Sequence, residues 1–157
     1  KPKDSMGADL SKEDVAPIKN LTKQIIELYK FKIKQESYLD KMMKELCPNM
    51  TTITGSIIGA KLIQHAGSLK RLILLPSSTV QLLGAEEALF RHIKTGARCP
   101  KYGVLHDHPL VSKAKRKEAG KAARIIASKI SIAARVDYAK GKFVGDKLMK
   151  EIEAKLK

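Results

Sequence analysis

From residue 11 to residue 46 apolar side chains recur at the spacing of one long helix, and Pro48 closes the run. Steps of three and four from Ile18 reach Leu21, Ile25, Leu28, Lys32, Gln35, Leu39, Met42 and Leu46, so only Lys32 and Gln35 interrupt a coiled-coil seam. Ser11 stands at the N-cap position, with Glu13 and Asp14 placed to favour the positive end of the helix dipole. One such helix cannot bury its own stripe. The seam of Ile18, Leu21, Ile25, Leu28, Leu39 and Met42 therefore predicts a partner helix, upstream in the chain or in another subunit. An ordinary amphipathic helix on a globular core would carry the same pattern.

Between Asn49 and Gly96 the pattern is one of short helices punctuated by Gly and Pro. One begins at Thr51-Thr52, runs through Ile53, Ile57, Ile58, Leu62 and Ile63, and stops near His65 ahead of Gly67. SLKRLILL stops before Pro76, and Ser77 or Ser78 caps a short piece leading to Leu83. Gly84 separates that piece from AEEALFRHIK, in which Leu89, Phe90 and Ile93 read as core. Ala97 to Val111 reads as a loop, with Tyr102 to Leu105 extended at most. A second long helix is predicted from Ser112 to Ala139, and a terminal one from Val144 after the break at Gly141. No segment alternates with period two for long enough to propose a sheet, so the fold class is all-α.

The chain has 43% hydrophobic residues, 4% aromatics and no Trp. That argues against intrinsic disorder and points to a closely packed core of Leu, Ile, Val and Ala. No apolar run approaches the roughly 18 residues of a membrane span, and the N-terminus has neither a leading Met nor an apolar signal region. The expectation is a soluble fragment of a longer chain. Cys47 and Cys99 have no second Cys near them, which excludes a disulfide framework or a four-Cys zinc site and leaves reduced intracellular thiols.

Charge adds the strongest functional indication. Between Arg91 and Lys142 there are fourteen Lys and Arg but only three acidic side chains, so 11 of the 15 net positive charges occupy one third of the chain. Such an excess repels itself unless a polyanion neutralises it, although a merely solvated face has the same composition. At 100° per residue Lys113, Lys117, Lys121, Arg124, Ser128 and Arg135 share one arc of the predicted second long helix. Ala119, Ala122, Ile126, Ile130 and Ala133 share another, suited to packing. The apolar face is needed for the core and lacks the large aromatics of an interfacial helix, which favours RNA or DNA over a membrane surface.

Catalytic motifs are lacking. There is no GxxxxGK[ST] loop, no GxGxxG after a strand and no paired-carboxylate spacing. His106, Asp107 and His108 are adjacent, but no Cys or His pair elsewhere completes a ligand set, so neither a metal nor a cofactor is expected. Cys99 near His92 is a pairing of the kind that chance supplies.

GAEEALFRHIKTG from Gly84, CPKYGVLHDHP after it and GKAARIIASKISIAARVD from Gly120 to Asp137 strongly resemble the Nop domain. DSMGADLSKEDVAPI and PNMTTITGSIIGAKLIQHAGSL also look like that family, in its order, from Asp4 to about Gly141. The chain departs from the family pattern at Glu87, where Lys is usual, and in SKAKRKEA from Ser112, where archaeal members often carry Trp.

The resemblance implies a non-catalytic scaffold of box C/D ribonucleoproteins, cytoplasmic in an archaeon and nucleolar in a eukaryote. Residues 1–47 would be the second half of a coiled-coil domain used for self-association, and residues 48–157 the Nop domain. Its partners would be a box C/D guide RNA, the ribosomal-type protein that binds the kink-turn, and the methyltransferase fibrillarin through an N-terminal domain outside this sequence. Gly84, Ala85, Glu86 and Glu87 would meet the partner protein. RNA contacts would fall to Gly84, Ala85, Glu86, Arg91, His92, Lys94, Arg98, Lys101, Tyr102, Lys113, Lys117, Lys121 and Arg124. Small residues let backbone amides approach RNA, and Lys101 with Tyr102 pairs charge with stacking. The alternative reading is a helical protein-interaction domain with a merely solubilising basic face.

Overall fold

The computed structural model describes residues 11–156; residues 1–10, which include the DSMGADL part of the opening motif, and residue 157 lie outside the described residues. Among those described there are nine α-helices, one 3-10 turn and no strand, an all-α architecture. The chain divides into two compact units, one up to Tyr38 and one from Leu39 onward.

The first unit is the greater part of α1 (Lys12–Leu46). The Ser11 hydroxyl accepts the Asp14 amide at 3.2 Å, as its N-cap position requires. Ile18, Leu21, Ile25 and Leu28 all stay exposed, as do Ile26, Tyr29, Phe31 and Ile33.

The second unit begins with the last turns of α1, whose Met43 is buried. Pro48 does not simply end the helix: Cys47 is the break, and Pro48 opens α2 (Pro48–Thr54) at a position where a missing amide costs nothing. The single helix expected from Thr51 is thus two, because Gly55 divides α2 from α3 (Ser56–Ala66). Next come α4 (Leu69–Leu74), capped by Ser68, then α5 (Ser77–Leu82) and α6 (Glu86–Thr95). Pro76 rather than a serine side chain precedes α5. Val104–Asp107 is a 3-10 turn, not an extended piece.

The second long helix is shorter than its pattern. A short α7 (Pro109–Ser112) and turns through Lys113–Glu118 precede α8 (Ala119–Tyr138), so Lys113 and Lys117 are not helical. Helix α8 is the centre of the unit, packed by α2, α4, α5, α7 and α9 (Gly145–Leu156). Neighbours on so many sides explain its alanines. Ala119, Ala122, Ala123, Ala127, Ala133 and Ala134 are all buried and let backbones approach closely, while Ile126 and Ile130 fill the space between.

Asp137, near the C-terminal end of α8, is buried and accepts three hydrogen bonds from the start of α2. They come from Asn49 N at 3.0 Å, Asn49 Nδ2 at 2.7 Å and Met50 N at 2.9 Å. These are the orphan amides every helix start must satisfy, met here from 88 residues away. Asn49 Oδ1 accepts the Val144 amide at 2.6 Å, so one polar pair ties α2, α8 and the entry to α9. Burial, and then the Asp137 charge, push the neighbouring Cys47 thiol up to about 11, which keeps it an inert apolar filler.

Helix α8 ends with Gly141 N bonded to Val136 O and Lys140 N to Asp137 O, a Schellman closure that puts Lys140 at φ 50°. A left-handed side-chain residue costs roughly 1–2 kcal/mol that glycine avoids. Lys140→Gly is therefore expected to raise stability by about 1 kcal/mol, offset only in part by glycine's unfolded-state entropy, and urea unfolding checks it. A lower midpoint would mean that the Lys140 side chain has a stabilising contact. Among the described residues no helix is long and apolar enough to cross a membrane.

Candidate nucleic-acid and protein interface

The loop from Ala97 to Gly103 runs between two concavities, and Pro100 lines both. On one side lies a groove of about 520 Å³, walled by Ser78, Gln81 and Leu82 of α5, by Cys99 to Lys101, and by Lys117, Gly120, Lys121 and Arg124. Its cations are Lys101, Lys117, Lys121 and Arg124, and no carboxylate joins them. Among the described residues none of the four has an ion-pair partner. Four cations facing one open groove is an electrostatic trap for closely spaced phosphates.

Lys101 reaches this groove by passing over Gly120. A Cβ there would lie 3.3 Å from Lys101 Cδ, so the lysine stem crosses the start of α8 in close contact. Lys117 enters from the turn before α8, and Lys121 and Arg124 from its first turns. The helix break thus curves the basic stripe around the groove.

On the other side a cleft of about 660 Å³ is lined by His65, the run Gly84 to Ala88, Arg91, Tyr102, Gly103 and His106. Gly84 has φ 85°, and a Cβ on it would lie 2.6 Å from Val104 Cγ2. The turn therefore needs glycine for its own packing against the loop, whatever it meets outside. Glu86 reaches back to accept the Gly84 amide at 2.7 Å, and its carboxylate lies 3.8 Å from His65 Nδ1. Partial desolvation pushes that carboxyl up, but the Gly84 amide, its own amide and His65 outweigh it and hold it below the ordinary range. Glu86 is thus engaged within the protein, while Glu87 is exposed on the cleft wall. Tyr102 is half-buried, its ring 5.4 Å from that of His106.

Eight proposed contact residues with polar or charged side chains thus line the cleft or the groove: Glu86, Glu87, Arg91, Tyr102, Lys101, Lys117, Lys121 and Arg124. Gly84 and Ala85 add backbone. Lys113 lines a separate depression of about 300 Å³ with Leu110 and Glu118. His92 Nδ1 is taken by Ala97 O, which closes the end of α6, and Lys94 and Arg98 are exposed outside both concavities. Two members of the expected basic arc serve the fold: Arg135 Nε donates to Ile73 O at 3.2 Å, and Ser128 donates to Ile125 O.

Leu89, Phe90 and Ile93 are not core. Helix α6 has no buried residue, and Phe90 and Ile93 are 60% and 69% exposed. An apolar stripe shows that a helix has a sticky face but not whether its own chain covers it. His108 is buried with both nitrogens engaged: Nε2 donates to Ile53 O at 2.9 Å, and Nδ1 accepts the Leu110 amide at 3.2 Å. Asp107 pairs with Lys61 at 3.0 Å, and that bond and charge, opposed by slight desolvation and aided by His106, hold its carboxyl below the ordinary range.

Sequence reasoning missed Gln81, and it placed Gly103 only in a loop that the family resemblance brings to the RNA stem, without its packing against α5. Two main-chain hydrogen bonds, Gly103 N to Gln81 O at 3.1 Å and Val104 N to Leu83 O at 2.8 Å, pin the loop to the end of α5. A Cβ at Gly103 would stand 2.0 Å from Leu83 O. The Gly in PKYG is the only local sign of that approach.

The molecule is thus an all-helical module presenting a basic groove and a small-residue cleft side by side. The Nop family model, described as a snoRNA binding domain, fibrillarin, matches residues 1–157, and the chain belongs to that family. It is 40% identical, over 98% of its length and 37% of the relative's, to an uncharacterized NOP5 family protein of Methanocaldococcus jannaschii. It is 44% identical to Nucleolar protein 58 of Schizosaccharomyces pombe over 85% of its length and 26% of that protein's. Among solved structures the fibrillarin/Nop5p complex matches with a TM-score of 0.69 and 31% identity, over 92% of this chain and 57% of that one. The chain therefore spans between about a quarter and two fifths of the length of these curated relatives.

Proposed function

We propose that the chain is the RNA- and protein-binding part of a non-catalytic scaffold of box C/D ribonucleoproteins. It takes the composite surface made by a kink-turn guide RNA and the ribosomal-type protein bound to that RNA. The observation that carries this reading is the basic groove of Lys101, Lys117, Lys121 and Arg124 set directly beside the Gly84–Ala88 cleft. The groove would follow phosphates; the cleft, with its small residues and engaged Glu86, would meet base edges and the partner protein. Fibrillarin would bind through a domain outside this sequence. Residues 1–47 would supply one helix of a coiled coil whose seam, Ile18 to Leu28, is exposed here.

A gel shift with kink-turn RNA, with and without its kink-turn protein, tests the reading. Tight binding is expected to the RNA–protein complex and weak binding to the naked RNA. Equal affinity for both would end composite recognition, and no salt dependence would favour a protein-interaction domain with a solubilising face.

Lys101→Ala combined with Tyr102→Ala removes one phosphate contact and one stacking surface. Affinity for the RNA–protein complex is expected to weaken by on the order of 1–4 kcal/mol while the unfolding midpoint barely moves. Unchanged affinity with lowered thermal stability would assign the pair to the fold.

A further inference from the structure

We infer that Gln81 is the positioning residue of the interface, holding Lys101 and Tyr102 to opposite sides of the loop through its side chain and its main-chain carbonyl together. This inference rests on the RNA reading proposed above. Gln81 Nε2 donates to Lys101 O at 2.5 Å, and the Gln81 carbonyl accepts the Gly103 amide at 3.1 Å. One residue thus grips the chain on both sides of Tyr102. With the main chain held at positions 101 and 103, the Cα–Cβ direction of Tyr102 between them is set. Lys101 lies over Gly120 and lines the basic groove, whereas Tyr102 lines the Gly84 cleft against His106. Nothing else fixes Lys101 O: among the hydrogen bonds of the described residues it accepts only from Gln81.

The geometry has an energetic consequence. Lys101 and Tyr102 are side chains that would otherwise sample several rotamers and loop conformers, and ordering them on binding costs affinity. A preformed clamp moves that cost from binding to folding. Because the clamp is an exposed side-chain bond, its removal leaves the core of α8 untouched. Gln81 touches the loop backbone and acts through its neighbours.

The experiment compares the full chain with Gln81→Ala, Gln81→Met and Lys101→Ala, binding each to a kink-turn RNA already loaded with its kink-turn protein. Gln81→Met keeps the length and adds no charge to the groove but presents no donor to the Lys101 carbonyl. Both Gln81 variants are expected to weaken binding by about tenfold and to lower the slope of log affinity against log salt by up to about one, as Lys101→Ala does. In the double variant Gln81→Ala with Lys101→Ala the losses fall short of additive. A merely structural role would lower the unfolding midpoint and leave the salt slope of the folded fraction unchanged, which would overturn the assignment. Amide exchange without RNA separates the clamp from the RNA reading. Gln81→Ala is expected to speed exchange at Gly103 and Val104 about tenfold, without change in α8, and unaltered exchange there also overturns the clamp. If the wild-type chain fails to bind the loaded RNA, the RNA reading falls and the exchange result decides the clamp by itself.

Discussion

Asp137→Ala is expected to destabilise the second unit by about 3–5 kcal/mol, the cost typical of breaking a buried charged network by removing one partner. The carboxylate is the acceptor for the amides of Asn49 and Met50 and for the Asn49 side chain. Alanine cannot replace it. The first amides of α2 would be left buried and unpaired, and the loosened Asn49 would compromise its bond to Val144 N and with it the entry to α9. Asp137→Asn keeps one carbonyl acceptor and is expected to cost less, because its amide group brings a donor to face the Asn49 and Met50 donors. Urea unfolding followed by circular dichroism reads both. A loss below about 1 kcal/mol for Asp137→Ala would mean that water reaches the start of α2 and that the network is dispensable.

The position of that network also shows what local pattern can and cannot convey. The long helix, its Ser11 cap and its open seam were legible because each depends on residues within a turn or two of one another. So was the alanine face of α8, where every residue assigned to packing is buried. The division at Gly55 falls inside what the apolar pattern reads as one helix, and the break from Lys113 to Glu118 carries neither Gly nor Pro to announce it. Asp137 closes the far motif and Asn49 opens the near one, yet nothing in either stretch reveals that they meet. Contacts between distant segments have no local signature. The same limit hid the site: Lys101, Lys117, Lys121 and Arg124 could be named as basic, but the passage of Lys101 over Gly120 is visible only in three dimensions. Phe90 and Ile93 mark the opposite failure, an apolar pattern that the described chain does not cover.

Gly103→Ala is expected to lower stability by roughly 2–5 kcal/mol and to abolish much of the binding to the loaded kink-turn RNA, since overpacking and two lost backbone bonds act together. The new Cβ would stand 2.0 Å from Leu83 O, 2.7 Å from Leu83 C and 2.8 Å from Leu82 O. All three are backbone atoms at the end of α5, so none can swing aside as a flexible side chain would. The loop must therefore lift, breaking Gly103 N to Gln81 O and Val104 N to Leu83 O. Val104 then leaves Gly84, and the cleft loses its floor at the same moment as Lys101 loses its path over Gly120. Binding is expected to fall at least as far as in the Lys101→Ala with Tyr102→Ala variant, but with a lowered unfolding midpoint, which that variant should not show. Calorimetry and the same gel shift distinguish the two patterns. A Gly103→Ala chain with an unchanged midpoint and unchanged affinity would mean that the loop can stand off from α5 without consequence, and that the grooves on either side of it are not held together by this contact.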